Sequence, residues 1–253
     1  QSIEKTTGGL CWGNDSKTLY YVKRDHNHRP AFVYRHHLNA ALSEMGDELV
    51  YQEKDPGFFV NIGNTQSNKY VAINASGHET SEWHLIEADD PNGKTKVVLP
   101  RHIGHEYSLE ERGGVLYILT NHDGAEDFKI ITCPADQPET EHWQELIPHK
   151  PGCLILNITV LQDYLIRLER ENGLPRIIIR QIDTGDEHAI SFDEEAYSLG
   201  LSSGYEFKTD NIRFTYSSMT TPAQVYDYNM QTRERVLRKT QEVPSGHTIE
   251  DYV

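Results

Sequence analysis

An all-β fold of repeated four-stranded antiparallel blades, a β-propeller, is what this sequence of 253 residues predicts, and three observations predict it. Short runs of aromatic and β-branched residues recur along the whole chain, which is the mark of strands. The runs fall into groups of four. The groups then repeat five times at a spacing of roughly 50 residues, the period of propeller blades.

The groups can be justified in chain order. Residues 8–56 contain Leu19-Tyr20-Tyr21-Val22, Phe32-Val33-Tyr34-Arg35 and Leu49-Val50-Tyr51. Residues 57–103 contain Phe58-Phe59-Val60, Tyr70-Val71-Ala72-Ile73, Trp83-His84-Leu85-Ile86 and Val97-Val98-Leu99. Residues 104–153 repeat the pattern with Glu106-Tyr107-Ser108, Val115-Leu116-Tyr117-Ile118, Phe128-Lys129-Ile130-Ile131 and Glu145-Leu146-Ile147. In 154–197 the runs are Leu156-Asn157-Ile158, Tyr164-Leu165-Ile166-Arg167, Ile177-Ile178-Ile179-Arg180 and Ala189-Ile190-Ser191. In 198–243 they are Ile212-Arg213-Phe214-Thr215, Val225-Tyr226-Asp227-Tyr228 and Val236-Leu237. A lone four-stranded sheet of such residues has two apolar faces and cannot hide both; stacking sheet on sheet does. Alternation fails in the strongest runs, such as Ile177-Ile178-Ile179, as expected where both faces are covered. A pair of β-sandwiches also yields short, evenly spaced strands, but does not require internal repetition.

Composition narrows the function classes. No run approaches the roughly 18 apolar residues of a membrane-spanning helix. The opening Gln1-Ser2-Ile3-Glu4-Lys5 is neither a signal peptide nor an initiator Met, so the beginning reads as cut. Cys11, Cys133 and Cys153 are three, cannot all pair, and sit in or beside strands; buried free thiols in a reducing, cytoplasmic compartment are expected. In that compartment the sequons at Asn74 and Asn157 carry no meaning. A formal net charge of −15 disfavours nucleic acid as a partner, since phosphate binding needs the opposite sign. It suits cationic peptides, and equally suits dispersal in solution.

Several motifs read as architecture. Asp183-Thr184-Gly185 matches an aspartic-protease signature, yet it joins two strands where an Asp-x-Gly turn is expected. Asn229-Met230-Gln231-Thr232-Arg233 occupies the same place in the next repeat, and no second Asp-Thr/Ser-Gly supplies a partner carboxylate. Ser2-x-x-Lys5 lacks its companion motifs, and the alternation of strand and long helix that surrounds a Gly-x-Ser-x-Gly elbow is absent. Among 13 histidines, His26/His28, His36/His37 and His102/His105 come in pairs. Strand neighbours point to opposite faces and the loop pair has no third ligand nearby, so hydrogen-bonded or surface roles are expected. Trp12, Trp83 and Trp143 read as packing between blades. No metal, cofactor or catalytic residue is assigned.

Read as text, the chain resembles oligopeptidase B (protease II) within the prolyl oligopeptidase family of serine peptidases. Tyr216-Ser217-Ser218-Met219-Thr220-Thr221-Pro222 carries the resemblance most specifically, with Glu234-Arg235-Val236-Leu237 and Glu242-Val243-Pro244 after it. Leu49-Val50-Tyr51-Gln52-Glu53-Lys54-Asp55, His105-Glu106-Tyr107-Ser108-Leu109 and Trp143-Gln144-Glu145-Leu146-Ile147-Pro148 are similar again. The resemblance implies a seven-bladed propeller over an α/β-hydrolase domain that holds the Ser/Asp/His triad and reads Arg or Lys. This chain matches the last five blades, and residues 244–253 match the start of a hinge toward the hydrolase domain. No triad residue can be carried over.

The expectation is therefore a substrate-gating fragment, inactive alone, whose parent enzyme takes short basic peptides; the alternative is a free-standing propeller serving as a protein-interaction module. Two apolar blade faces are expected to lie open at the ends of the array and to favour self-association. An acidic roof would also raise the local concentration of basic peptides.

Overall fold

The structure, a computed structural model, describes residues 3–38, 46–202, 204–244 and 246. Of the expected hinge at 244–253, residues 245 and 247–253 lie outside the described residues, as does Ser2 of the Ser-x-x-Lys match. The described residues form five four-stranded antiparallel sheets, each a simple meander. They divide into two compact units, Gln1–Ala125 with Ile130–Pro148, and Glu126–Lys129 with His149–Val253. No described helix is long and apolar enough to cross a membrane.

The first unit holds three sheets. Strands β1 (Thr6–Trp12), β2 (Thr18–Arg24), β3 (Pro30–His37) and β4 (Glu48–Gln52) make the first; β5 (Phe59–Asn64), β6 (Tyr70–Ser76), β7 (Ser81–Glu87) and β8 (Lys96–Val97) make the second. The third comprises β9 (Tyr107–Arg112), β10 (Val115–Thr120), β11 (Lys129–Pro134) and β12 (Gln144–Ile147). Cys11, Tyr20, Val22 and Val33 pack against Val60, Val71, Ile73 and Ile86 in one seam. Ala72, Leu85, Val98 and Leu99 face Tyr107, Leu109, Leu116 and Ile118 in the other. Val71-Ala72-Ile73 is thus buried at every position because successive side chains enter different seams, which explains the missing alternation.

In the second unit, β13 (Cys153–Val160), β14 (Tyr164–Glu171), β15 (Leu174–Gln181) and β16 (Glu187–Ala189) pack against β17 (Tyr197–Ser202), β18 (Asn211–Ser218), β19 (Gln224–Asn229) and β20 (Arg235–Thr240). Ile166, Ile177 and Ile179 meet Ile212, Phe214, Tyr216 and Tyr228. Truncating one of these fully buried isoleucines to alanine is worth about 2–5 kcal/mol.

Several expectations are refined. Cys153 and Tyr197, read as ends of repeats, open β13 and β17. The fourth strands of sheets two and four are short, because Val98, Leu99 and Ile190 are buried in the seams just beyond them. In β1 the register slips between Thr6 and Leu10 around Gly8, whose φ of 90° suits a bulge. All three cysteines are free and buried.

The expectation of two open apolar faces holds for one sheet. On the first sheet, the face away from its seam exposes Leu10, Trp12 and Leu49, at 55%, 43% and 45%. Trp12 therefore does not pack between sheets. On the last sheet the corresponding face is polar: Arg213 Nε and Arg238 Nε each lie 2.7 Å from a carboxylate oxygen of Asp227. Ion pairs leave that face hydrated, as on a capping repeat.

Candidate functional site

The segment that carries the strongest resemblance is organised around one carboxylate. Glu194 accepts hydrogen bonds from the hydroxyls of Tyr216, Ser218 (2.7 Å), Thr220 (2.8 Å) and Thr221 (3.0 Å). The amides of Thr220 and Thr221 donate back to Ser218 Oγ, at 3.1 and 2.8 Å. The β18–β19 turn is therefore rigid, and Met219 at its tip is 91% exposed. Gln241 N donates to Ala223 O at 2.8 Å, so the chain leaves β20 beside this turn. The four hydroxyls, Tyr216 foremost, hold the Glu194 carboxyl down at about 2.

Other constellations prove structural. Asp183-Thr184-Gly185 is a turn: Gly185 N donates to Gln181 O at 2.9 Å with φ of 78° at Gly185. Arg233 repeats this with N to Asn229 O at 2.8 Å and φ of 64°. Thr18 resembles a nucleophile beside a base, 3.1 Å from His37 Nδ1, but its hydroxyl donates to Asp15 (2.7 Å) and it is fully buried. His36 instead meets Asp47 at 2.7 Å, so the adjacent histidines take separate partners. His105 bonds Thr120 Oγ1 through Nε2 at 2.8 Å and stacks on Tyr107; burial, with His122 and His102 nearby, pushes its pKa down to about 4. Trp83 does link sheets, donating Nε1 to Tyr107 O at 2.7 Å. Trp143 packs edge-on against His122 and lies against the apolar seam between the second and third sheets. Among the described residues no group of three or more His, Cys, Asp or Glu side chains is placed to hold a metal ion.

Among the described residues two clefts stand out, and periodicity foretold neither. One, of about 250 Å³, lies between Phe192, Glu194, Tyr216, Tyr226 and Arg235. The Arg235 guanidinium already covers Phe192 and Tyr226, at 5.5 and 5.2 Å from their ring centres. The other, of about 240 Å³, opens between β5 and β9 and is lined by Asn61, Gly63, Asn74, Trp83, Leu109 and Glu110. Burial pushes the Glu110 carboxyl up to about 7, the Gln66 amide 2.9 Å away opposes this, and the charge of Glu111 adds to it.

Repeated four-stranded meanders with apolar seams define a β-propeller protein, whose chemistry resides in what the scaffold presents rather than in the blades. Residues 1–241 match the family model described as prolyl oligopeptidase, N-terminal beta-propeller domain, and the chain belongs to that family. All 253 residues are 35% identical to Dipeptidyl aminopeptidase BI of Pseudoxanthomonas mexicana, covering 34% of that protein. Protease 2 of Moraxella lacunata is 29% identical over 228 residues, 90% of this chain and 32% of its own length. Among solved structures, oligopeptidase B from Trypanosoma brucei with covalently bound antipain, in the closed form, superposes with a TM-score of 0.92. It is 27% identical, covering 99% of this chain and 36% of that one. Oligopeptidase B from Leishmania major gives 0.88 at 27% identity, over 99% of this chain and 37% of its own. The chain thus spans about a third of the length of the relatives it matches.

Proposed function

We propose that this chain is the access-controlling propeller of a serine oligopeptidase of the oligopeptidase B type, which cleaves short peptides after Arg or Lys. The catalytic Ser, Asp and His belong to a hydrolase domain outside these residues, and the chain alone hydrolyses nothing. The family match over residues 1–241, against relatives about three times as long, carries the reading. Residues 241–244 leave β20 beside the Glu194-bound turn, which supports reading that loop end as the one that faces the hydrolase domain. A ring of blades over a catalytic pocket excludes folded proteins by size and admits extended peptides. Three buried thiols suit a reducing, cytoplasmic setting.

The test compares the protein encoded by the full reading frame with a version lacking the propeller. The intact enzyme is expected to cleave arginyl peptides and spare folded proteins, and removal of the propeller to weaken that discrimination. Identical size selectivity in the two, with the truncated form still active, would contradict the gating role.

A further inference from the structure

The cleft between β5 and β9 has chemically selective walls. β5 and β9 are edge strands of adjacent sheets in the first unit. The register pair Gly63↔Ala72 forms a floor of minimal side chains, and the neighbouring pair Asn61↔Asn74 sets two carboxamides on the same face. Trp83 and Leu109 supply apolar surface, and Glu110 supplies a partly buried carboxylate held by the Gln66 amide at 2.9 Å. The nearest like charge, Glu111, is engaged elsewhere: it accepts from Ser67 Oγ at 2.5 Å and Gly114 N at 2.6 Å. The gap arises because the side chains at Gly63 and Ala72 are too small to fill the seam; a Cβ added at Gly63 would meet nothing within 4 Å.

We propose that this cleft is a binding site for one guanidinium or alkylammonium group, with Glu110 as its counter-ion. Asn61 and Asn74 accept from the remaining N–H groups, and the Trp83 ring lies against the aliphatic stem. At about 240 Å³ the cleft falls below the roughly 300–1,000 Å³ typical of sites for drug-sized ligands, and so suits a single side chain. Among the described residues β5 and β9 each have a strand partner on one edge alone, and a free strand edge is where extended backbone adds, which points to a peptide arginine or lysine as the bearer. This site is distinct from the peptidase reading and does not require it, since binding is measured on this chain without any reaction.

The experiment titrates the chain with agmatine, with N-acetyl-glycyl-arginyl-glycinamide and with butylurea as the neutral analogue, by calorimetry and amide chemical shifts. Saturable binding of the guanidinium compounds, with shifts centred on Gly63, Trp83 and Glu110 and none for butylurea, is expected. Tighter binding of the peptide than of agmatine marks a peptide site, and the reverse marks a free-amine site. Glu110→Gln, which keeps shape and removes charge, should weaken binding roughly tenfold. Gly63→Val should abolish it by filling the floor, with thermal unfolding checked in both variants. Non-saturable titration of the parent chain, equal binding of butylurea, or undiminished affinity in folded Glu110→Gln would each overturn the proposal.

Discussion

The Glu194 carboxylate lies 2.7 Å from the Ser218 hydroxyl, and this bond ties the connection between two sheets to the turn that ends β18. Thr220 and Thr221 add to the same carboxylate, so a run of hydroxyl residues that looks like mere surface sequence is a ligand set for one side chain. Glu194→Ala is expected to lower stability by about 1–2 kcal/mol, solvent screening included, with Glu194→Gln retaining part of it. The folded carboxyl is held below its unfolded value. Its contribution is therefore full above about pH 4.5 and is lost as pH falls toward about 2. Urea unfolding of both variants from pH 7 to pH 3 measures this: the gap to the parent chain should narrow in acid.

Arg101 joins the connection after β8 to both neighbouring sheets. It reaches Glu53 at 2.5 Å and Glu82 at 3.2 Å, and its guanidinium lies 3.8 Å above the Phe58 ring. Removing the cation takes the counter-ion from two carboxylates, one of them on a buried residue, and leaves Glu53 with Tyr51 and the Asp55 amide and Glu82 with His84. Arg101→Ala should cost about 2–3 kcal/mol in urea unfolding, and Arg101→Lys should restore little, because an ammonium cannot serve both acids and the ring. A lysine variant as stable as the parent would refute this bridging role.

His105 and Glu110 give opposite pH signatures within the first unit. His105 is held neutral, with its folded pKa at about 4; stability from this site is present above about 6.5 and lost as pH falls toward 4. Glu110, pushed up to about 7, binds its proton more tightly when folded, so stability from this site is present below about 4.5 and lost as pH rises through 7. Glu110→Gln should therefore stabilise the chain at pH 8 relative to pH 5. The Glu110 side-chain carbon shift, followed by NMR, should titrate near pH 7; a midpoint near 4 would dismiss the effect.

The paired turns make a conformational prediction. Gly185 and Arg233 occupy equivalent left-handed positions, with φ of 78° and 64°. Arg233→Gly should stabilise by up to about 1 kcal/mol and Gly185→Ala should destabilise by a similar amount. Thermal unfolding compares them directly. Asp183→Asn should leave any peptidase activity of the parent enzyme unchanged, since Asp183 lies in this turn.

What the sequence could disclose follows from how local each feature is. Strand runs such as Tyr70–Ile73 and Ile177–Arg180 announce themselves, because one residue in two or every residue must be apolar to fill a seam. β1 has no such run, since Gly8 and Gly9 interrupt its pattern at the bulge. Val97-Val98-Leu99 reads as a strand of three, yet the strand ends at Val97: Val98 N still donates to Trp83 O at 2.8 Å, and Val98 and Leu99 then turn into the buried seam. Trp12 shows the converse: an aromatic residue in a strand gives no sign of which face is covered. The Glu194 hydroxyl set and the Glu110 cleft escape periodicity altogether. Each joins segments distant in sequence, and the cleft is made by side chains that Gly63 and Ala72 lack.

On the proposed function, this chain controls access to a serine hydrolase and leaves the catalysis to residues outside it. Fluorophosphonate labelling, combined with hydrolysis of an arginyl-aminomethylcoumarin peptide, should be measured on this chain and on the protein encoded by the full reading frame. Labelling and turnover are expected for the longer protein and neither for the chain. Labelling or turnover by the chain alone, or a longer protein inert to both, would contradict it.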